Sequence, residues 1–335
     1  MYQKEGESTA REWPNIVRDL LEFGLPASPR EVNTKEFYPA VLTFRNPREN
    51  YINPPGRDLP LPFGIVETLD FLFNPKPTGV AYNKQVERFM NPATGAYYGY
   101  YYDRLKISGL HQFHRIYDTL RDQKDTRRAV AIIHNPVQET YESPDIACTI
   151  SLSYLIRDDK LHAVTNMRSN DARIGLCLDT FTFQVYQQIF AADLGVGLGS
   201  YTHIANSLHL YESDVKLVQG ILDRLPADNV YDHYKPIPLQ NDTYYSLQND
   251  LKMVNNINLR CVKPGDDQAE RVASAIQMLD LIKQPLLVQW GRVLIGEWYR
   301  RLKMFDRSDE IADKIENEYK DYFIQKRVKR EANNP

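Results

Sequence analysis

The chain has 335 residues, 42% of them hydrophobic and 25% charged, with a formal net charge of -3. Such a composition can bury a large core, which excludes disorder as the main state. The charge gives no global attraction for nucleic acid, so any anionic partner has to be held by local arginine clusters.

Cys148, Cys177 and Cys261 are widely spaced, with no CxxC pair and no histidines at zinc-finger intervals. That pattern fits a reducing cytoplasm and no structural metal. The polar start Met1-Tyr2-Gln3-Lys4-Glu5-Gly6-Glu7 has no apolar signal region, and no apolar run approaches ~20 residues, so the expected location is cytoplasmic and off the membrane.

Trp13, Ile16, Val17, Leu20 and Leu21 predict a helix over 11–24, ending near Gly24 and Pro26. Ala40–Phe44 reads as a short strand, Pro54-Pro55-Gly56-Arg57 as a turn, and 63–73 as a buried helix bearing Glu67 and Asp70. A further helix is expected over 109–121 and a strand over 129–133. Ile150, Leu152, Tyr154 and Ile156 alternate with polar residues, so 148–156 and 161–168 form an expected hairpin around the polar turn Arg157-Asp158-Asp159-Lys160. Residues 178–194 read as a helix on that sheet and 201–211 as one strand. From about 213 the pattern is helical, with apolar spacing in 269–283, 286–303 and 308–323. The expected fold is therefore α+β: a mixed sheet with packed helices over 1–212, plus a C-terminal helical extension over 213–335.

Cys148 starts the first hairpin strand, and Arg168 is as far from the turn on the second, so the hairpin can bring them together. Positive charge beside a thiol favours the nucleophilic thiolate; without such a neighbour, Cys148 reads as a small buried hydrophobe. Arg127-Arg128 reads either as a solvated helix end or as a phosphate clamp, since guanidinium forks pair bidentately with phosphate oxygens. Glu67 is either a surface glutamate or a buried acid whose raised pKa suits proton transfer. Tyr98 reads as core or as a site group. Asp179 is either a helix cap or a base-reading carboxylate.

Taken together, Thr126-Arg127-Arg128-Ala129, His134-Asn135-Pro136, Cys148, Arg168-Ser169-Asn170-Asp171, Gly175, Asp179 and Ser207-Leu208-His209-Leu210-Tyr211 resemble the thymidylate synthase superfamily. The segment Glu67-Thr68-Leu69-Asp70-Phe71-Leu72 resembles that family's helix with its catalytic glutamate. The branch most similar is the deoxycytidylate and cytidylate 5-hydroxymethylases. The resemblance implies that Cys148 adds to C6 of a pyrimidine nucleoside monophosphate, and that Arg168, Arg127 and Arg128 hold its phosphate, the latter two across a homodimer interface. It further implies that Ser169 lies beside phosphate and sugar, His209 and Tyr211 at the sugar hydroxyl, Asp171, Tyr98 and Gly175 near 5,10-methylenetetrahydrofolate, and that Glu67 orders water. One of Arg45, Arg48 and Arg57 would be the family's mobile phosphate arginine. The chain departs from the synthase pattern at Ser207, Thr149 and Cys177-Leu178.

Position 179 separates the branches. An asparagine amide both donates and accepts, matching O4 and N3–H of uracil, whereas cytosine presents an amino donor and an N3 acceptor. A carboxylate accepts from the amino group and, sharing one proton with N3, satisfies the other position. An unpaired buried edge costs ~1–3 kcal/mol, enough for roughly 10–100-fold discrimination. The expected activity is 5-hydroxymethylation of dCMP or CMP. The alternatives are a reductive methylase of dUMP or UMP and a catalytically silent nucleotide- or RNA-binding protein.

Overall fold

The computed structural model describes residues 1–89, 101–135, 146–225, 231, 234–240 and 244–333. In chain order the elements are β1 (Tyr2–Gly6), α1 (Thr9–Phe23), β2 (Leu25–Ala27), β3 (Thr34–Phe37), β4 (Ala40–Phe44), α2 (Leu61–Phe73), α3 (Tyr101–Leu105), β5 (Lys106–Ile107), β6 (Leu110–His111) and α4 (Gln112–Asp122). There follow β7 (Val130–Ile132), β8 (Thr149–Arg157), β9 (Lys160–Met167), β10 (Asn170–Asp171), α5 (Gly175–Leu194), β11 (Gly197–Ala205) and β12 (Leu208–Tyr211). The chain then runs through α6 (Glu212–Leu222), α7 (Tyr244–Val262), α8 (Gln268–Ala275), α9 (Pro285–Arg301), α10 (Phe305–Ala312) and α11 (Lys320–Asn333).

A six-stranded mixed sheet, ordered β1-β4-β11-β9-β8-β7, carries the core on one face, where Leu42, Leu152, Tyr154, Leu161 and Tyr201 are buried against α5. α5 is apolar nearly all round, as befits a helix enclosed between the sheet and other helices. In the hairpin, Asp158 (φ 51°) and Asp159 (φ 56°) take the left-handed conformation that a two-residue loop with the strands' own twist requires, and Asp tolerates it. Pairing of Thr149 with Met167 then sets Cys148 and Arg168 side by side, and the Arg168 N–H donates to the Cys148 carbonyl at 2.8 Å.

The strand expected over 201–211 is two strands in different sheets. β11 ends at Ala205, and the bend at Asn206 and Ser207 releases β12 to join the small sheet β10-β12-β3-β2. There Asp171 and His209 are register partners. The helix expected over 269–283 continues past Ala275 only as a 3-10 turn, and that over 308–323 is interrupted between Ala312 and Lys320, although Ile315 and Tyr319 stay buried. Buried hydrophobic residues form one cluster from Ala10 to Phe323, so the helices after residue 212 share the core of the sheet.

Asp70 ties α2 to the following loop. Its carboxylate accepts from Thr78 N (2.7 Å), Thr78 Oγ1 (2.6 Å), Gly79 N (2.8 Å) and Asn74 Nδ2 (2.7 Å). Burial pushes its pKa up to about 6 despite these donors. Asp70→Ala would strand several donors at once and is expected to cost about 3 kcal/mol. Thermal unfolding should show a fall in Tm of several degrees, and an unchanged Tm would refute this account of the loop.

Candidate active site

Cys148 is half-buried and free of any disulfide. The Arg168 side chain wraps around the segment before it: Nη2 donates to the Ile146 carbonyl (2.7 Å), Nε to the Ala147 carbonyl (3.0 Å), and Nη2 lies 3.6 Å from Cys148 Sγ. One guanidinium thus fixes the loop and places positive charge beside the sulfur, the environment that favours a thiolate. Arg168 remains exposed on its other side, where an anion can approach. Ser169, partly exposed, follows it.

The next turn of chain builds a polar edge. Asp171 accepts from the backbone N–H of Arg173 (2.9 Å), Ile174 (3.0 Å) and Gly175 (3.4 Å), anchoring the start of α5. One turn into that helix, Asp179 Oδ2 accepts from Asn170 Nδ2 at 2.7 Å. A Cβ on Gly175 would lie 3.1 Å from that amide nitrogen and 3.6 Å from Asp179 Oδ2, so the glycine makes room for the contact. Burial pushes the Asp179 pKa up to about 7, Asn170 pulls it back, and the Asp171 charge adds to the rise. Asp179 still keeps a partly accessible surface.

Glu67 faces this edge from α2. Its pKa is raised well above the ordinary carboxylate range, first by burial and then by the charges of Asp179 and Asp70. Burial and a neighbouring carboxylate both favour the protonated form of Glu67. His209 is held below its ordinary pKa by burial, partly offset by Asp171, and packs edge-on against Tyr211 with ring centroids 5.0 Å apart.

Other expected residues lie elsewhere. Arg127 and Arg128 are exposed between α4 and β7. The adjoining Ala129 carbonyl accepts from Tyr154 N, which puts the pair roughly 20 Å along the sheet from Cys148 of the same chain. Arg45, at the far end of β4, pairs with Glu5 at 2.8 Å and is roughly 16 Å along the sheet from the Cys148 level. Arg48 lines a small cavity with Gly195 and Leu198 at the C-terminal end of α5, roughly 24 Å along the helix from Asp179. Arg57 is buried, stacked 4.6 Å from the Trp13 ring centroid with Nη2 2.8 Å from Cys177 Sγ. The structure therefore brings none of Arg45, Arg48 and Arg57 to the cysteine, because strand direction and burial, which nearness in sequence does not reveal, send them elsewhere. Tyr98 lies outside the described residues.

Three groups escaped the sequence reading. Tyr101 Oη is bonded to Thr149 Oγ1 (2.8 Å) and accepts from Thr149 N (3.1 Å), next to Cys148. Its neighbourhood also includes Asp179, whose charge helps raise the Tyr101 pKa. Asn170 was read only as part of a motif, yet it grips Asp179. Arg30, exposed with φ 53°, sits in the loop joining β2 to β3, on the small sheet that carries His209 and Tyr211. Its signal was an arginine beside Pro29 in a turn-forming run.

The chain is similar to known proteins over part of its length. Over 236 residues the chain is 29% identical to the deoxyuridylate hydroxymethyltransferase of Bacillus phage SP01, covering 64% of this chain and 60% of that one. Over 111 residues it is 36% identical to the deoxycytidylate 5-hydroxymethyltransferase of Enterobacteria phage T4, covering 30% of this chain and 45% of the relative. The chain thus spans less than two thirds of either phage enzyme. Thermostable thymidylate synthase A from Bacillus subtilis shares the fold, with a TM-score of 0.52 at 15% identity over 65% of this chain and 84% of that one. The thymidylate synthase family profile matches residues 70–253. With its cysteine, arginine and α5 edge inside that match, which covers more than half its length, the chain belongs to the thymidylate synthase family.

Proposed function

We propose that the chain is a pyrimidine nucleotide 5-hydroxymethyltransferase acting on dCMP or CMP with 5,10-methylenetetrahydrofolate. The observation that carries this reading is Asp179: an acid where the synthases place an amide, held at 2.7 Å by Asn170 and with a pKa near neutrality. Such a group shares one proton with N3 of cytosine while accepting from the amino group.

In this reading the Cys148 thiolate adds to C6, helped by Arg168, and C5 becomes nucleophilic. The folate supplies the one-carbon unit. Asp171 and Gly175 stand at the mouth of α5 beside the half-buried Ile174, where the family resemblance puts the cofactor. C5 loses its proton as it takes that carbon, Glu67 orders the water that enters there, and expulsion of the Cys148 thiolate from C6 restores the ring. Arg168 and Ser169 face the phosphate, with Arg30, exposed in the loop of the small sheet that carries His209 and Tyr211, a candidate for the mobile cation. His209 and Tyr211 face the sugar.

The sheet face away from the core exposes a mixed surface, including Val41, Ile150, Leu155, Val164 and Ile204, all only partly covered. A second copy stacked there would bury it and could bring its own Arg127 and Arg128 to this chain's phosphate site, which supports a homodimer with shared sites.

A second reading is 5-hydroxymethylation of dUMP, which the SP01 relative's name favours. A protonated Asp179 imitates an amide and can serve that base too. Incubation with dCMP, CMP, dUMP or UMP plus methylenetetrahydrofolate, followed by mass measurement, separates the cases. The expected result is a hydroxymethyl gain on cytosine nucleotides. Methyl products, or reaction of uracil nucleotides alone, would overturn it.

A further inference from the structure

Behind Asp179 runs a chain of buried polar groups that the reaction itself does not use. Asn170 Oδ1 is 3.0 Å from His203 Nε2, His203 Nδ1 is 3.0 Å from Tyr201 Oη, and Tyr201 Oη is 3.0 Å from Thr165 Oγ1. All four residues are at most 3% exposed. Tyr201, His203 and Thr165 lie on the core side of β11 and β9, beneath α5. Burial holds the His203 pKa down at about 3, so its ring is neutral, with one nitrogen donating and the other accepting.

The directions of these bonds depend on one another. When Asn170 Nδ2 donates to Asp179, its Oδ1 must accept, so His203 carries its proton on Nε2. His203 Nδ1 is then an acceptor and takes the Tyr201 hydroxyl proton. The Tyr201 hydroxyl is also placed to donate to Thr165 Oγ1 at 3.0 Å, and with a single proton it serves His203 in this direction of the row and Thr165 in the reverse one. Reversing the chain requires the Asn170 amide to turn, the histidine to change tautomer and the tyrosine hydroxyl to rotate, all in one buried row. Asp179 Oδ2 is thereby kept an acceptor, and a proton on the carboxyl belongs on Oδ1, which makes no hydrogen bond among the described residues. A carboxyl with one oxygen fixed as acceptor and the other as donor presents a definite polarity to a base. Cytosine and uracil show opposite polarity on that edge.

We propose that Asn170, His203 and Tyr201 are positioning residues that set the hydrogen-bond polarity of Asp179 and so share in the choice between cytosine and uracil. The proposal rests on Asp179 being the base-reading group. It also explains why a neutral, fully buried histidine stands on a strand whose other inward residues are apolar or aromatic.

The test measures dCMP and dUMP binding by calorimetry in a Cys148→Ala background, which removes turnover from the readout. His203→Phe and Tyr201→Phe are each expected to lower the dCMP/dUMP affinity ratio about tenfold, because the Asn170 amide is then free to turn. Tyr201→Phe keeps the ring packing and decides the matter if His203→Phe does not fold. Tyr186→Phe removes another buried hydroxyl, bonded to the Thr68 carbonyl at 2.9 Å and outside the chain, and should leave the ratio unchanged. Asp179→Asn, the control for the underlying reading, should invert the ratio. A ratio that moves with Asp179→Asn but not with Tyr201→Phe or His203→Phe overturns the relay and leaves the base-reading role intact. A ratio indifferent to Asp179→Asn removes both.

Discussion

Cys148→Ala is expected to abolish turnover, by at least about 10⁴-fold, the scale reached when a covalent nucleophile is lost, while nucleotide binding survives. The sulfur stands at the start of β8 with Arg168 Nη2 at 3.6 Å, and the phosphate-facing part of that arginine does not depend on the thiol. Binding measured by calorimetry should therefore stay within a few-fold of the parent. The same variant tests the shared site. Arg127 and Arg128 are too far along the sheet to serve Cys148 of their own chain, so an Arg127→Ala/Arg128→Ala enzyme should be nearly inactive yet keep an intact cysteine. Mixing it with Cys148→Ala under conditions that exchange subunits should restore activity, because a mixed dimer holds one complete site. No recovery despite demonstrated exchange would remove the cross-subunit role of these arginines, and retained turnover by Cys148→Ala would remove covalent catalysis.

What the sequence made legible was local. The hairpin 148–168 could be read because alternation of period two and a polar turn fix register, and register alone brings Cys148 to Arg168. The helix of Asp179 could be read from its apolar run. The relation between Asp179 and Asn170 depends on how β10 meets α5, and the bonds behind Asn170 cross three strands, so no spacing in the sequence announces them. The run 201–211 was misread because both of its strands have strand-forming composition, and only Asn206-Ser207 marks the change of sheet. The placing of the arginines was hidden for a different reason: a sequence shows that Arg45 follows a strand but not which end of the sheet that strand's end occupies. Arg57 does close the turn read there, its N–H donating to the Pro54 carbonyl at 3.0 Å, but its cation–π contact with Trp13 is made across a separation that no local pattern encodes. Short strands such as β2, with Pro26 inside it, carry too little pattern to be seen at all.

Asp179→Asn should turn the base preference from cytosine to uracil, by roughly 10–100-fold in the ratio of kcat/KM values. The amide offers the donor and acceptor that O4 and N3–H require, whereas cytosine would face a donor with its amino group. The pH dependence should change with it. Cytosine held by Asp179 shares one proton between carboxyl and N3, so binding takes up a proton once the free acid is ionised, and affinity should fall as pH rises through about 7. The asparagine variant has nothing there to titrate and should lose that limb. Stability supplies an independent check whose sign is fixed. Burial raises the folded pKa of Asp179 above its unfolded value, so the neutral acid is the form the fold favours, and its stabilising share is present at low pH and lost as pH rises towards 7. Asp179→Asn should therefore be more stable than the parent at pH 8, on the order of 2 kcal/mol after allowing for the residue's partial exposure, with the gap closing towards pH 4. A parent enzyme whose preference for cytosine is flat from pH 6 to 8, or an asparagine variant that still prefers cytosine, would show that another group reads the base.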